Sequence, residues 1–153
     1  LQEDTLKQVI GDVCKSLEAR ALNIFLLSFH ANDHIFEACI KEQSFDCTIV
    51  HIDMIDESDD KTIESLLGGP IDGHAGNSEI ANMLALHPDL VELPDANYPK
   101  QQIQDPWSTN NLADKSNDGI VDNHPEWNID KDVGQKILDI YAARAIKNIA
   151  PYL

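Results

Sequence analysis

The chain has 153 residues, with 11 Lys+Arg against 27 Asp+Glu and a formal charge of −16. That length suits a single domain over residues 1–153, large enough to fold without a disulfide or metal staple. The acid excess argues against nucleic acid or an anionic membrane surface as partner, since both would repel it.

An apolar fraction of 42% with 25% charged residues is that of a globular chain, not a disordered one. No apolar run approaches the roughly 20 residues of a bilayer crossing, and no signal peptide is visible. The start at Leu1 rather than Met suggests a processed, truncated or incompletely recorded chain. Cys14, Cys39 and Cys47 are odd in number and form no C-x-x-C pair. They read as small buried hydrophobes of a reducing, cytoplasmic compartment.

In chain order, residues 3–20 carry Leu6, Val9, Ile10, Val13 and Leu17 at the spacing of one helical face. Residues 23–29 then form a short continuous apolar run, which suits a strand buried on both faces of a parallel sheet. A polar break from His30 to Asp33 leads into a helix over 34–43. Residues 47–52 read as a second strand, rich in β-branched side chains. Helix, strand, helix, strand implies right-handed crossovers, hence an α/β fold with a mainly parallel sheet flanked by helices.

The middle reads differently. Residues 53–60 hold five acidic side chains and suit a solvated loop or the start of a short helix ending near Leu67. Residues 68–76 gather four of the seven glycines. A helix over 77–86 follows and stops before Pro88. From Pro94 to Asp130 no periodic segment exceeds a few residues, which predicts an irregular arm, lid or oligomer contact over 94–130. Asp130 is placed to cap a last helix over 131–149.

Two places carry chemistry. His30-Ala31-Asn32-Asp33-His34 follows the first apolar strand, where open α/β sheets bind ligands. Imidazole and carboxylate side by side suit a hard or borderline divalent metal, although His30 and Asp33 capping the next helix is the plainer reading. The second is His74, on the glycine-rich loop, with Glu79 in the first turn of the helix after it. That pair suits proton transfer near neutral pH. The plainer alternative is capping, with Gly76 at the N-cap and Glu79 at N3. His51 and His87 read as structural, at a strand end and a helix end. Trp107, Trp127 and His124 fall in the irregular stretch, open both to lining a pocket and to anchoring a subunit contact. There is no phosphate-loop, dinucleotide or nucleophile-elbow motif.

Gly73-His74-Ala75-Gly76-Asn77-Ser78-Glu79, continuing through Met83-Leu84-Ala85-Leu86-His87-Pro88-Asp89-Leu90-Val91, resembles the creatininase (creatinine amidohydrolase) family signature G-H-A-G-x-x-E-T-S-x-M-L-x-L-x-P-x-L-V. Upstream, Ser28-Phe29-His30-Ala31-Asn32-Asp33 is similar to that family's N-G-H-G-G-N after a buried strand. The resemblance covers most of the chain, its carboxyl-terminal helix included.

The resemblance implies an α/β sandwich, usually hexameric, that hydrolyses a C–N bond of a small amide or cyclic amide with zinc or manganese. By the same resemblance His30 is a metal ligand and His74 moves the proton at the leaving nitrogen. Glu79 orients His74 or contacts the metal. Asn32 falls where the family has a ligand glutamate, and Phe29 and Ile80 also depart from the motifs. The family's first metal-binding segment, E-x-H-G-x-H-L-P, does not occur within these residues. The expectation is therefore a carboxyl-terminal portion with an incomplete metal site, lacking the amino-terminal part of the fold. The alternative is a degenerate, non-catalytic family member serving as a structural or binding subunit. Two further expectations follow: His30 and His74 converge in space, and the 94–130 arm buries a tryptophan against a neighbouring subunit.

Overall fold

The computed structural model describes residues 2–29, 33–54, 56–71, 74–93, 95 and 114–153. His30, Asn32 and Trp107 lie outside these residues, and so do the expectations about their placement. The described chain divides into two compact units, residues 1–56 with 142–153 and residues 57–141.

The first unit is built on helix α1 (Glu3–Glu18), strand β1 (Asn23–Ser28), helix α2 (Asp33–Glu42) and strand β2 (Thr48–Asp53). The strands pair in parallel over their whole length, from Asn23 opposite Thr48 to Ser28 opposite Asp53. This is the crossover topology that the element order demands. Its core gathers Ile10 and Cys14 from α1, Ile24 from β1, and Ile35 and Cys39 from α2. The turn of α1 that faces this core is Leu6, Ile10 and Cys14. Val9, Val13 and Leu17 lie on the adjoining row and are 49%, 51% and 43% exposed. The apolar stripe is thus wider than the face it buries. Nor is β1 buried on both sides, since Leu27 is 45% exposed. The second strand starts at Thr48, so Cys47 precedes it and is half-buried, while Cys14 and Cys39 are buried. Burial pushes the Cys14 and Cys39 thiols up, which keeps them protonated and unreactive. The chain's end is tied to β1: the Asn23 side-chain amide donates to the Tyr152 carbonyl at 2.9 Å. The Tyr152 ring meets Phe25 edge-on at 5.9 Å.

The second unit holds helix α3 (Glu57–Leu67), helix α4 (Asn77–Leu86) and the first part of helix α5 (Lys131–Ile149). Ile63, Leu67 and Ile137 form its core, with Ile71, Val133 and Ile140 packed around them. Helix α5 begins where the Asp130 carboxylate accepts the N–H groups of Asp132 at 2.7 Å and Val133 at 3.0 Å, as an N-cap should. Along α5, Gly134 lets the backbone of α4 come close. A Cβ there would stand 2.0 Å from the Ala81 carbonyl oxygen.

Helix propensity alone favours alanine over glycine by about 1 kcal/mol. At position 134 the clash with rigid backbone reverses that sign. Gly134→Ala is expected to destabilise the protein by about 1–3 kcal/mol, as overpacking does. Urea unfolding reads this as a lowered midpoint, and a raised midpoint would show that α4 and α5 part without cost.

A candidate proton-transfer site on the glycine-rich loop

His74 emerges from the loop after α3 as a residue in extended conformation. It is not the end of a strand in the parallel pair. Its backbone instead forms an isolated antiparallel bridge with Val121. The His74 N–H donates to the Val121 carbonyl at 2.7 Å, and the Val121 N–H donates back at 3.0 Å. The chain then turns sharply at Ala75, whose φ of 54° is the left-handed region that side chains rarely occupy. Gly76 follows in an extended conformation and α4 starts at Asn77.

A capping interaction stabilises this turn. Glu79, in the first turn of α4, reaches back so that its carboxylate accepts the Ala75 N–H. That is the returning half of a capping box, displaced by one residue because Gly76 has no side chain to give the other half. Glu79 therefore acts on the backbone next to His74. It is exposed and His74 is half-buried. The capping reading and the chemical reading of Glu79 are compatible, since one oxygen serves the Ala75 N–H.

The residues that brace this loop are ones the sequence did not single out. Asp122, next to the bridge residue Val121, is fully buried. Its carboxylate accepts the Asn77 N–H at 3.4 Å and the His124 N–H at 2.6 Å. Asn77 is buried as well. Its side-chain amide donates to the Glu126 carbonyl at 2.9 Å and its amide oxygen accepts the Asn128 N–H at 3.1 Å. Asn128 in turn donates to the Leu67 carbonyl at the end of α3. His124 is buried, with Nδ1 accepting the Glu126 N–H at 3.1 Å. That bond leaves the neutral ring's proton on Nε2. The ring fits because residue 69 is glycine: a Cβ there would lie 2.5 Å from Nε2. So His124 is a packing residue of the loop cluster, and Trp127 is half-buried beside it in sequence. His87 closes α4, its N–H donating to the Met83 carbonyl at 2.7 Å.

In the first unit, Asp33 opens α2, but its Oδ1 makes no helix cap among the described residues. It faces His51 Nε2 at 3.1 Å, and the His51 side chain is 8% exposed. Among the described residues no three His, Cys, Asp or Glu side chains converge as ion ligands. None of the described helices is long and apolar enough to cross a membrane.

Comparison with known proteins decides the family. The sequence model described as Creatininase: Creatinine amidohydrolase matches residues 1–149. The chain belongs to the creatininase family. No curated protein matches it. Among solved structures it is similar to a mutant creatininase of the Zn-Zn type, at TM-score 0.67 and 21% identity, covering 99% of this chain and 65% of that one. A crystal structure of creatinine amidohydrolase (creatininase) matches with TM-score 0.67 and 21% identity, over 99% of this chain and 64% of that one. At those identities the likeness is one of fold. The chain spans about two thirds of the length of the creatininase chains it matches, which agrees with a partial fold.

The bracing network has a measurable consequence. Asn77→Ala removes two side-chain hydrogen bonds from a fully buried position, and is expected to cost about 2–3 kcal/mol. Denaturant unfolding should show a lower midpoint at unchanged slope. A loss below about 0.5 kcal/mol would mean that the 119–130 segment is not held by this residue.

Proposed function

We propose that this chain is the carboxyl-terminal portion of a metal-dependent amidohydrolase that hydrolyses a C–N bond of a small amide or cyclic amide. The observation that carries the reading is His74, set on a doubly hydrogen-bonded bridge and followed by a strained turn that Glu79 holds, within the family's glycine-rich motif. Positive φ at a non-glycine residue costs free energy and persists where surrounding contacts enforce it. Here those contacts aim at the residue best suited to move a proton near neutral pH.

In this reading the neutral imidazole of His74 takes a proton from the attacking water. It then delivers the proton to the leaving nitrogen as the C–N bond breaks. Glu79 is a positioning residue: it fixes the Ala75 turn and so the place of His74, leaving its second oxygen for another partner. A divalent ion such as zinc or manganese, when bound, supplies a deprotonated water and a polarised carbonyl. His30 and Glu79 are the proposed ligands. The described residues alone do not make a site for that ion, since no three donors converge among them. No step is therefore routed through it. Assembly into a hexamer belongs to the same proposal.

That lack of a convergent donor set, together with Asn32 where the family has a ligand carboxylate, favours a second reading. In it the chain is a non-catalytic family member that serves an oligomer as a structural or binding subunit. One experiment separates the two. The natural protein containing this sequence, supplied with zinc or manganese, is assayed for ring opening of creatinine and other small cyclic amides. The amidohydrolase reading expects turnover, with His74→Gln lowering kcat by about 10²–10⁴-fold and KM little changed. A folded protein that turns over none of them, with either metal, belongs to the second reading.

A further inference from the structure

We infer that Asp33 and His51 are two ligands of a divalent-cation site at the carboxyl end of the parallel pair β1–β2. The proposal rests on the amidohydrolase reading for what the ion is used for, but not for whether it binds.

His51 is the fourth residue of β2, opposite Leu26, two residues before the strand ends. Asp33 is the first residue of α2, on the crossover from β1. Both donors therefore stand at the strand end where open parallel sheets take their ligands. Asp33 Oδ1 and His51 Nε2 are 3.1 Å apart. At that distance an ordinary ion pair would place the ring N–H on the line to the oxygen. It does not: both atoms are buried, and neither has a hydrogen-bond partner among the described residues. The contact has ion-pair distance without hydrogen-bond direction, which weakens it steeply. Two buried polar atoms facing each other in this way carry a desolvation cost that the contact itself does not offset.

A shared cation resolves the arrangement. Zinc holds imidazole nitrogen and carboxylate oxygen at about 2.0–2.2 Å, so two such donors stand about 3.0 Å apart at a right angle and about 3.4 Å apart at the tetrahedral angle. The observed 3.1 Å falls between these limits. The imidazole is also held in one orientation, stacked on Phe36 at 5.3 Å between centroids and 4° between planes. A ligand ring locked by packing loses little freedom when an ion arrives. An imidazole with a carboxylate suits zinc and similar borderline cations. Two protein ligands leave the remaining positions to water, so the ion is exchangeable and its water accessible.

The test is zinc titration of the protein, followed by calorimetry and by the ring resonances of its histidines. The wild type is expected to bind one zinc saturably, with His51 ring signals moving in step. Asp33→Asn, which keeps the shape of the side chain, and His51→Gln should each abolish that binding while circular dichroism stays unchanged. His34→Gln should keep it, because His34 is exposed and faces Glu3 instead. A wild type without saturable binding overturns the proposal, as does binding unaltered in both variants. A His51 ring that responds to Asp33→Asn but ignores zinc identifies a plain ion pair and overturns it too. Zinc held by this pair in a protein without hydrolase activity supports the site and removes the amidohydrolase reading. Amide hydrolysis retained in both variants does the reverse.

Discussion

A carboxylate withdrawn fully from water must be met by donors, and Asp122 meets them on two segments at once. It takes an N–H from Asn77 at the start of α4 and another from His124 in its own loop. Because Val121 beside it pairs with His74, the same few atoms set both the helix that carries Glu79 and the strand that carries His74. Asn77 repeats the theme in reverse, its side chain gripping the backbone of residues 126 and 128 from the helix side. The glycine-rich loop is thus braced by polar groups of 119–128 more than by apolar burial. This suits a segment whose apolar content is too low to form a core, since a buried polar network rigidifies only when its members are satisfied.

The regular elements were legible because their signal is local. The spacing of Leu6, Ile10 and Cys14 marks α1, and the β-branched run through Ile49 and Val50 marks β2. The capping of α5 by Asp130 could be read from a carboxylate placed just before a periodic stretch. What local periodicity could not separate was depth. Val9 and Val13 fit the same helical stripe as Ile10, yet only the row through Ile10 meets α2, because the neighbouring helix covers one row and not its flank. Leu27 shows the same limit in a strand. Alternation decides which side a residue faces, while whether that side is covered depends on elements elsewhere in the chain.

The site was legible in part for the same reason. His74 and Glu79 announce themselves by residue type on a glycine-rich loop, five positions apart. Asp122, Asn77 and Asn128 did not, since their partners lie 45 to 61 positions away in sequence and no spacing rule reaches that far. His51 was read as structural because it stands alone in an apolar strand. Its neighbour Asp33 comes from the preceding crossover, and only the parallel register brings the two together.

This contrast says how the chain divides its polar residues between support and chemistry. Asn77 and Asp122 give each side-chain atom a named backbone partner, so removing either leaves buried groups unmet and costs stability. Asp33 and His51 are the opposite case, buried side by side with the hydrogen-bonding direction unused. Groups kept in that state stabilise little by themselves, and neutral substitutions that fill the same volume should be nearly free of cost in stability. A pair that contributes little to folding, yet is packed against Phe36 so that its geometry is fixed, is arranged for a ligand rather than for the fold.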